Sequence, residues 1–368
     1  MKNKLFDKKN TLLLHGIAIL MMIYHHLFVS GNNWFVNEGK SLFDGLNFIS
    51  IGKADTFQMT VAWFCKICVA VFAFTSGYGM FIQLSGKNQD LKSMYRYCAK
   101  RLWAFYRQYL LCFLFFTGCE FLTGNNNGFD YSLSNYLLNL LGLRSTFNAT
   151  WWYVSVYYCM ILSSPIIYSV LIGKIEKKNL YLMIASLILL VALYFGYAFI
   201  IKDFEHYFII FKNLAQSALV VYMIIFAEGM ACARFSILEY LAEKLNQFSA
   251  FLILILTFVL RSLVIRIPGD SVFDIIFIVP FVLSVSCLFS YSNYLSKLYI
   301  FIGRFSSYLW YSHPYFYAFL FFGLVMRSDM SLLVYLQVVV YSLFASVIFD
   351  FVEKNLNRLL HHEFVKEN

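Results

Sequence analysis

The sequence predicts an all-α integral membrane protein, a single polytopic bundle of about ten transmembrane helices with both termini cytoplasmic, and three observations carry that prediction. Hydrophobic residues make up 61% of the chain, aromatics 20% and charged residues only 13%; soluble domains carry about 25% charged residues. Apolar runs of about 20 residues, the length that crosses a bilayer as a helix, recur from end to end. The segments between them alternate in Lys and Arg content. With the N-terminus inside, 19 basic residues fall on the cytoplasmic side, 7 on the opposite side and 3 within spans, which is the bias of the positive-inside rule.

The first run, 11–29, continues past the length of a signal-peptide core without a small-residue cleavage site, so it is expected to remain as the first span. The others cover 59–84, 103–122, 151–172, 180–201, 214–232, 248–266, 272–290, 306–326 and 331–351. Two outer connections, 30–58 and 123–150, are rich in Gly, Asn, Asp and aromatics. They read either as covers over the outer mouth of a site or as solvated connectors with interfacial aromatics. No polar stretch is long enough to form a soluble domain, so residues 1–368 read as one transmembrane domain.

The net charge of +9 is accounted for by orientation, which makes membrane lipids an expected partner and nucleic acid not. The eight cysteines lie mostly inside apolar runs, as in "CKIC" at 65–68, and are expected to fill the core rather than form disulfides or a metal site. No Gly-rich phosphate loop, metal-ligand constellation or Gly-x-Ser-x-Gly elbow occurs. Nucleotide hydrolysis, metal catalysis and serine-hydrolase chemistry therefore lack support.

Chemistry enters with "LLLHGIAILMMIYHHLF", residues 12–28, which places His15, His25 and His26 in the first span. An ionisable side chain in lipid is costly and marks a candidate site. His15 and His26 are separated by a net rotation of roughly 20° and a rise of about 16 Å, so they share one helix face. His25 is turned about 80° from His15, which makes His26 the aligned member of the adjacent pair. An imidazole can take a proton from a hydroxyl near neutral pH and return it, and it can equally serve as a hydrogen-bonded core group between helices. Lys66, Arg107 and Arg261 are the basic residues within spans. Lys66 is placed to stabilise an oxyanion, to contact a phosphorylated ligand or to pair with a carboxylate such as Glu228. Lys92, Arg96, Lys100, Arg101 and Arg107 form a basic entrance to the third span, read either as a phosphate-binding group or as a product of orientation and anionic lipid.

The first span resembles that of acyltransferase family 3, the membrane O-acyltransferases of bacterial cell-surface polysaccharides, in which a basic residue precedes an essential His by ten intervening residues. His26 falls on that His, and the basic position, usually Arg or Lys, is His15 here. "KICVAVFAFTSGYGMF" (66–81), "YRYCAKRLWAFYRQYLL" (95–111), "TWWYVSVYYCMILSSPII" (150–167), "FAEGMACAR" (226–234) and "FIGRFSSYLWYSHPYF" (301–316) are similar to later segments of the family, in order.

The resemblance implies transfer of an acyl group, most often acetyl, from cytoplasmic acyl-CoA to a hydroxyl of a polysaccharide or lipid-linked glycan, in the plasma membrane of a bacterium. Acetyl-CoA would be a donor substrate, with no permanently bound cofactor and no metal. On this reading His26 is the general base, His15 and Lys66 line the donor path, and Lys100, Arg101 and Arg107 hold CoA. Glu120 and His313 are secondary candidates, Glu120 as a group that orients His26. Ser76 could carry a covalent acyl intermediate, but no base lies beside it in sequence. A non-enzymatic transporter or flippase of a lipid-linked sugar is the alternative. The inverted repeats and matched Gly/Pro interruptions of transporters are not evident, and only four prolines occur.

Overall fold

The computed structural model describes residues 6–29, 56–86, 90–123, 131–172, 219–264, 270–290, 293–318, 320–325 and 331–366. All regular structure among these residues is helical. Helix α1 (Lys8–Phe28) is capped by Asp7, whose carboxylate accepts the Asn10 N–H at 2.8 Å. Helices α2 (Thr56–Phe64) and α3 (Cys68–Ser85) are joined without a loop by a 3₁₀ turn, Cys65–Ile67. Helices α4 (Leu91–Thr123) and α5 (Leu133–Leu140) follow, then a 3₁₀ turn (Ala149–Trp152) leading into α6 (Tyr153–Ile166). The chain continues through α7 (Leu219–Phe235), α8 (Ile237–Ala242), α9 (Gln247–Val264), α10 (Asp274–Ser290) and α11 (Asn293–Arg304). It ends in α12 (Ser306–Tyr317), α13 (Phe322–Val325) and α14 (Ser331–Lys366).

Among the described residues, five helical runs are long and apolar enough to cross a membrane: Lys8–Phe28, Thr60–Ser85, Gln247–Val264, Ser271–Phe289 and Leu332–Leu359. The protein is a helical, polytopic membrane protein in kind. The predicted span 180–201, the start of the span at 214–232 and most of the segment 30–58 lie outside the described residues.

Other predicted spans differ from what is observed, for reasons hydropathy does not carry. The run at 103–122 belongs to a helix that starts at Leu91, because Asp90 caps it through the Ser93 N–H at 2.9 Å and no breaker intervenes. Lys100 and Arg101 therefore sit on the helix itself. The run at 151–172 is helical in three pieces: a 3₁₀ turn, α6, and a π-helical turn, Ile167–Ile172. Pro165 has no N–H for the Ile161 carbonyl, which accepts the Ser164 hydroxyl instead at 2.7 Å. The run at 306–326 is not one helix. It stops at Tyr317, turns where the Phe321 N–H meets the Tyr315 carbonyl at 2.8 Å, and resumes as α13. The last run, 331–351, continues as helix to Lys366.

Helix α3 is the most enclosed of the five apolar runs and forms the centre of the bundle, packed on α1 and α7. Glycines set how close these helices come. A methyl group at Gly77 would overlap the Phe226 carbonyl, and one at Gly229 the Phe74 carbonyl, so α3 and α7 touch backbone to backbone. Gly16 and Gly303 do the same for α1 and α11, against the Tyr299 and Leu12 carbonyls. These crossings lie one residue from Ser76 and His15 and fix both. Replacing Gly77 with Ala is expected to cost about 1–3 kcal/mol by overpacking, read as a lower melting temperature in detergent. Gly79, on the same helix with nothing within 4 Å of its would-be methyl group, provides the control. Equal melting temperatures for the two variants would refute the close crossing.

By contrast α9 and α14 present rows of exposed apolar side chains, among them Phe251, Leu256 and Leu263, and Leu336, Val340 and Phe344. Surfaces of that kind are stable against lipid rather than water. All eight cysteines are free and mostly buried, as core filling predicts.

Candidate active site

Helix α12 carries "YSHPYF", and its local chemistry sets the site. Pro314 supplies no N–H to the Trp310 carbonyl, so the turn before it has acceptors open to side chains. The His313 ring folds back against the Leu309 and Trp310 carbonyls, with Nδ1 2.9 Å from the Leu309 oxygen. A carbonyl only accepts, so the hydrogen of a neutral His313 is on Nδ1 and its Nε2 is an acceptor. That Nε2 lies 2.8 Å from Nδ1 of His26, and the two rings are near parallel, 5° apart. With both rings neutral, His26 donates Nδ1–H to His313 and keeps its lone pair on Nε2. The relay Leu309 carbonyl, His313, His26 thus selects one tautomer of His26 and holds its ring in one orientation.

The other two histidines of α1 are fixed differently. Nε2 of His15 lies 2.9 Å from the Thr75 hydroxyl. The Thr75 hydrogen is committed to the Val71 carbonyl at 2.7 Å, so His15 is the donor and its hydrogen is on Nε2. His25 donates from Nδ1 to the Ala62 carbonyl at 2.8 Å. It stands beside His26, ring centroids 5.7 Å apart.

A wall of aromatics faces these groups. Trp151 donates to the Tyr311 carbonyl at 3.2 Å and Trp310 to the Thr150 carbonyl at 3.0 Å, a reciprocal pair that locks the turn before α6 to α12. Asn148 holds the same turn by accepting from the Thr150 N–H and hydroxyl. Phe105 stacks on Tyr157 with centroids 4.2 Å apart, and Tyr157 receives the Arg101 Nε–H at 2.9 Å.

These elements enclose a cavity of about 350 Å³ that runs along α1 from His15 to His26. Of the residues the sequence singled out, His15, His26, Lys66, Ser76 and Arg101 line it. His313 lies directly behind His26. Lys100, Arg107 and Glu120 are not part of the lining. Lys100 is exposed on α4. Arg107 is held by α14, with Glu353 at 3.6 Å and a bond to Asn357. Glu120 is fully buried, with Tyr131 and Tyr315 as electrostatic neighbours, whereas Nδ1 of His26 is taken by His313.

Sequence reasoning set His25 aside, yet it also lines the cavity. A core-facing stripe of a helix is at least about 100° wide, which accommodates both neighbours. Thr75 was equally missed, although it stands beside Ser76 in a polar pair within an apolar run.

Three imidazoles, an ammonium and a guanidinium around one cavity, inside a bundle of membrane helices, define a membrane-embedded chamber equipped for proton transfer next to developing negative charge. The sequence matches the family model described as an acyltransferase domain over residues 13–351, nearly the whole chain. The protein belongs to the acyltransferase 3 family and is a membrane acyltransferase. No curated protein and no solved structure matches the chain.

Proposed function

We propose that the chain transfers an acyl group, acetyl by preference, from cytoplasmic acyl-CoA to a hydroxyl of a cell-surface polysaccharide or its lipid-linked precursor, in a bacterial plasma membrane. The observation that carries this reading is the relay behind His26. A hydroxyl acceptor needs a base at the point of attack, and His26 Nε2 is the lone pair the hydrogen-bond chain leaves for it.

In the proposed reaction His26 Nε2 takes the acceptor's proton as its oxygen bonds to the thioester carbonyl carbon. The imidazolium that forms is held through Nδ1–H by His313. The Lys66 ammonium faces the negative charge that develops on the carbonyl oxygen. Collapse breaks the carbon–sulfur bond, the electron pair leaves on sulfur, and the CoA thiolate recovers the proton from His26. No covalent acyl-enzyme is required, and His26, rather than Ser76, carries the chemistry. Arg101 and His15 lie at the end of the cavity that faces the cytoplasm in the orientation set by the basic segments. Arg101 there is a donor for the phosphates of CoA.

Membranes containing the protein are expected to move label from radiolabelled acetyl-CoA into glycan, and deletion cells are expected to export an unacetylated polysaccharide whose NMR spectrum lacks acetyl methyl signals. Export that fails in deletion cells, with glycan stranded inside and no transfer of label, would replace this reading with a carrier role.

A further inference from the structure

The second predicted span is one apolar run in sequence and two helices in structure, and the break falls at Lys66. In a continuous α-helix the Cys68 N–H would serve the Phe64 carbonyl. Here it turns to the Cys65 carbonyl, and three successive carbonyls at the end of α2 accept side chains instead. Ala62 takes His25, and Trp63 and Phe64 take Nη1 of Arg261 at 3.2 and 2.9 Å. Arg261 stands on α9, 1% exposed, with its other edge clasped by Asp274 of α10 at 2.7 and 3.2 Å.

A bare guanidinium would not be kept in such a place for packing alone. Its fork answers the two needs at once, a carboxylate on one side and the freed carbonyls on the other. The tighter 3₁₀ turn is what makes the run change face: Cys65 and Ile67 are buried in the core, while Lys66 lines the cavity.

We infer that Arg261 and Asp274 are positioning residues, a buried clamp that holds the 3₁₀ break open and thereby sets the Lys66 ammonium in the chamber. The inference rests on the acyl-transfer reading only for what Lys66 does there. Geometry assigns the clamp itself. Arg261 does not line the cavity, though its charge acts on His25, which does, so a variant that keeps that charge isolates what is transmitted through the turn.

Two measurements on the full-length protein in nanodiscs test this. The first is a double-mutant cycle. Arg261→Lys keeps the charge beside Asp274 but cannot reach two carbonyls, and is expected to lower kcat about tenfold with the KM for acetyl-CoA within about twofold of normal. In a Lys66→Ala background the same change is expected to cost nothing further, because the group it positions is gone. A full additional tenfold loss in that background would overturn the inference.

The second measurement needs no activity. Reductive methylation is quantified by peptide mass spectrometry, and Lys66 is expected to change its labelling rate at least threefold, relative to Lys354, in Arg261→Lys and in Asp274→Asn. Unchanged Lys66 labelling in both variants would overturn the clamp. Should the unaltered protein transfer no acyl group, the proposed function fails by itself, and the labelling result still decides the clamp.

Discussion

Replacing His26 with Ala abolishes acyl transfer in purified, monodisperse protein, with an expected fall in kcat of about 10³-fold or more, the combined worth of a positioned base and of the proton it returns to the leaving sulfur. The variant is expected to insert and fold normally, because the ring is half-buried against a cavity rather than packed within the core. His25 makes the experiment sharp. It is adjacent in sequence, lines the same cavity and has its own Nδ1 committed to a carbonyl, so on tautomer alone it also retains a lone pair on Nε2. What separates the two is the group behind each ring: His25 is braced by one carbonyl, whereas His26 is braced by an imidazole that can follow its change of charge. His25→Ala is therefore expected to retain at least about a tenth of normal activity. A dead His25→Ala beside an active His26→Ala would move the base one residue back.

The parts of the protein legible in its sequence are those that depend on composition and helical period. Apolar length located most of the helices, and the 20° offset between His15 and His26 placed both on one cavity. What hydropathy cannot see is where a helix changes its hydrogen bonding. "AWFCKICVAV" reads as uninterrupted span, yet a 3₁₀ turn sits at its centre, and the reason is a guanidinium nearly two hundred residues later in the chain. The stop at Tyr317 is hidden in the same way inside "YAFLFFG".

The basic cluster teaches a related lesson. Lys100 and Arg107 share a helix face, about 20° apart, and Arg101 is turned about 100° from Lys100, but phase does not say which face meets the cavity. Contacts do: Tyr157 draws Arg101 to the cavity, and Glu353 and Asn357, from a helix whose length past residue 351 the apolar window undercounted, hold Arg107 away from it. His313 lay in a recognised motif, but its partner was unreadable, since 287 residues separate it from His26 and only the fold brings them together. Glu120, the carboxylate that sequence offered as a brace for His26, is enclosed elsewhere.

Because the brace is an imidazole, its removal makes the second large prediction. His313→Phe keeps a ring of similar size in a fully buried position but offers nothing to accept Nδ1–H of His26. The His26 ring is then free to flip or to carry its hydrogen on Nε2, where it cannot act as a base. The expected result is a fall in kcat of about 10²-fold or more with an unchanged KM for acetyl-CoA, the signature of a group that orients the reacting lone pair without touching the donor. His313→Gln discriminates this from simple damage to α12. Its amide oxygen can accept from His26 while its amide nitrogen donates toward the Leu309 carbonyl, reproducing both ends of the relay in neutral form. Gln is therefore expected to recover at least tenfold over Phe, short of normal activity, because an amide cannot share the proton as His26 becomes charged. If Phe and Gln are equally slow, the acceptor at position 313 is immaterial and His313 is only packing. If Phe is fully active, the tautomer of His26 is set by something other than the relay.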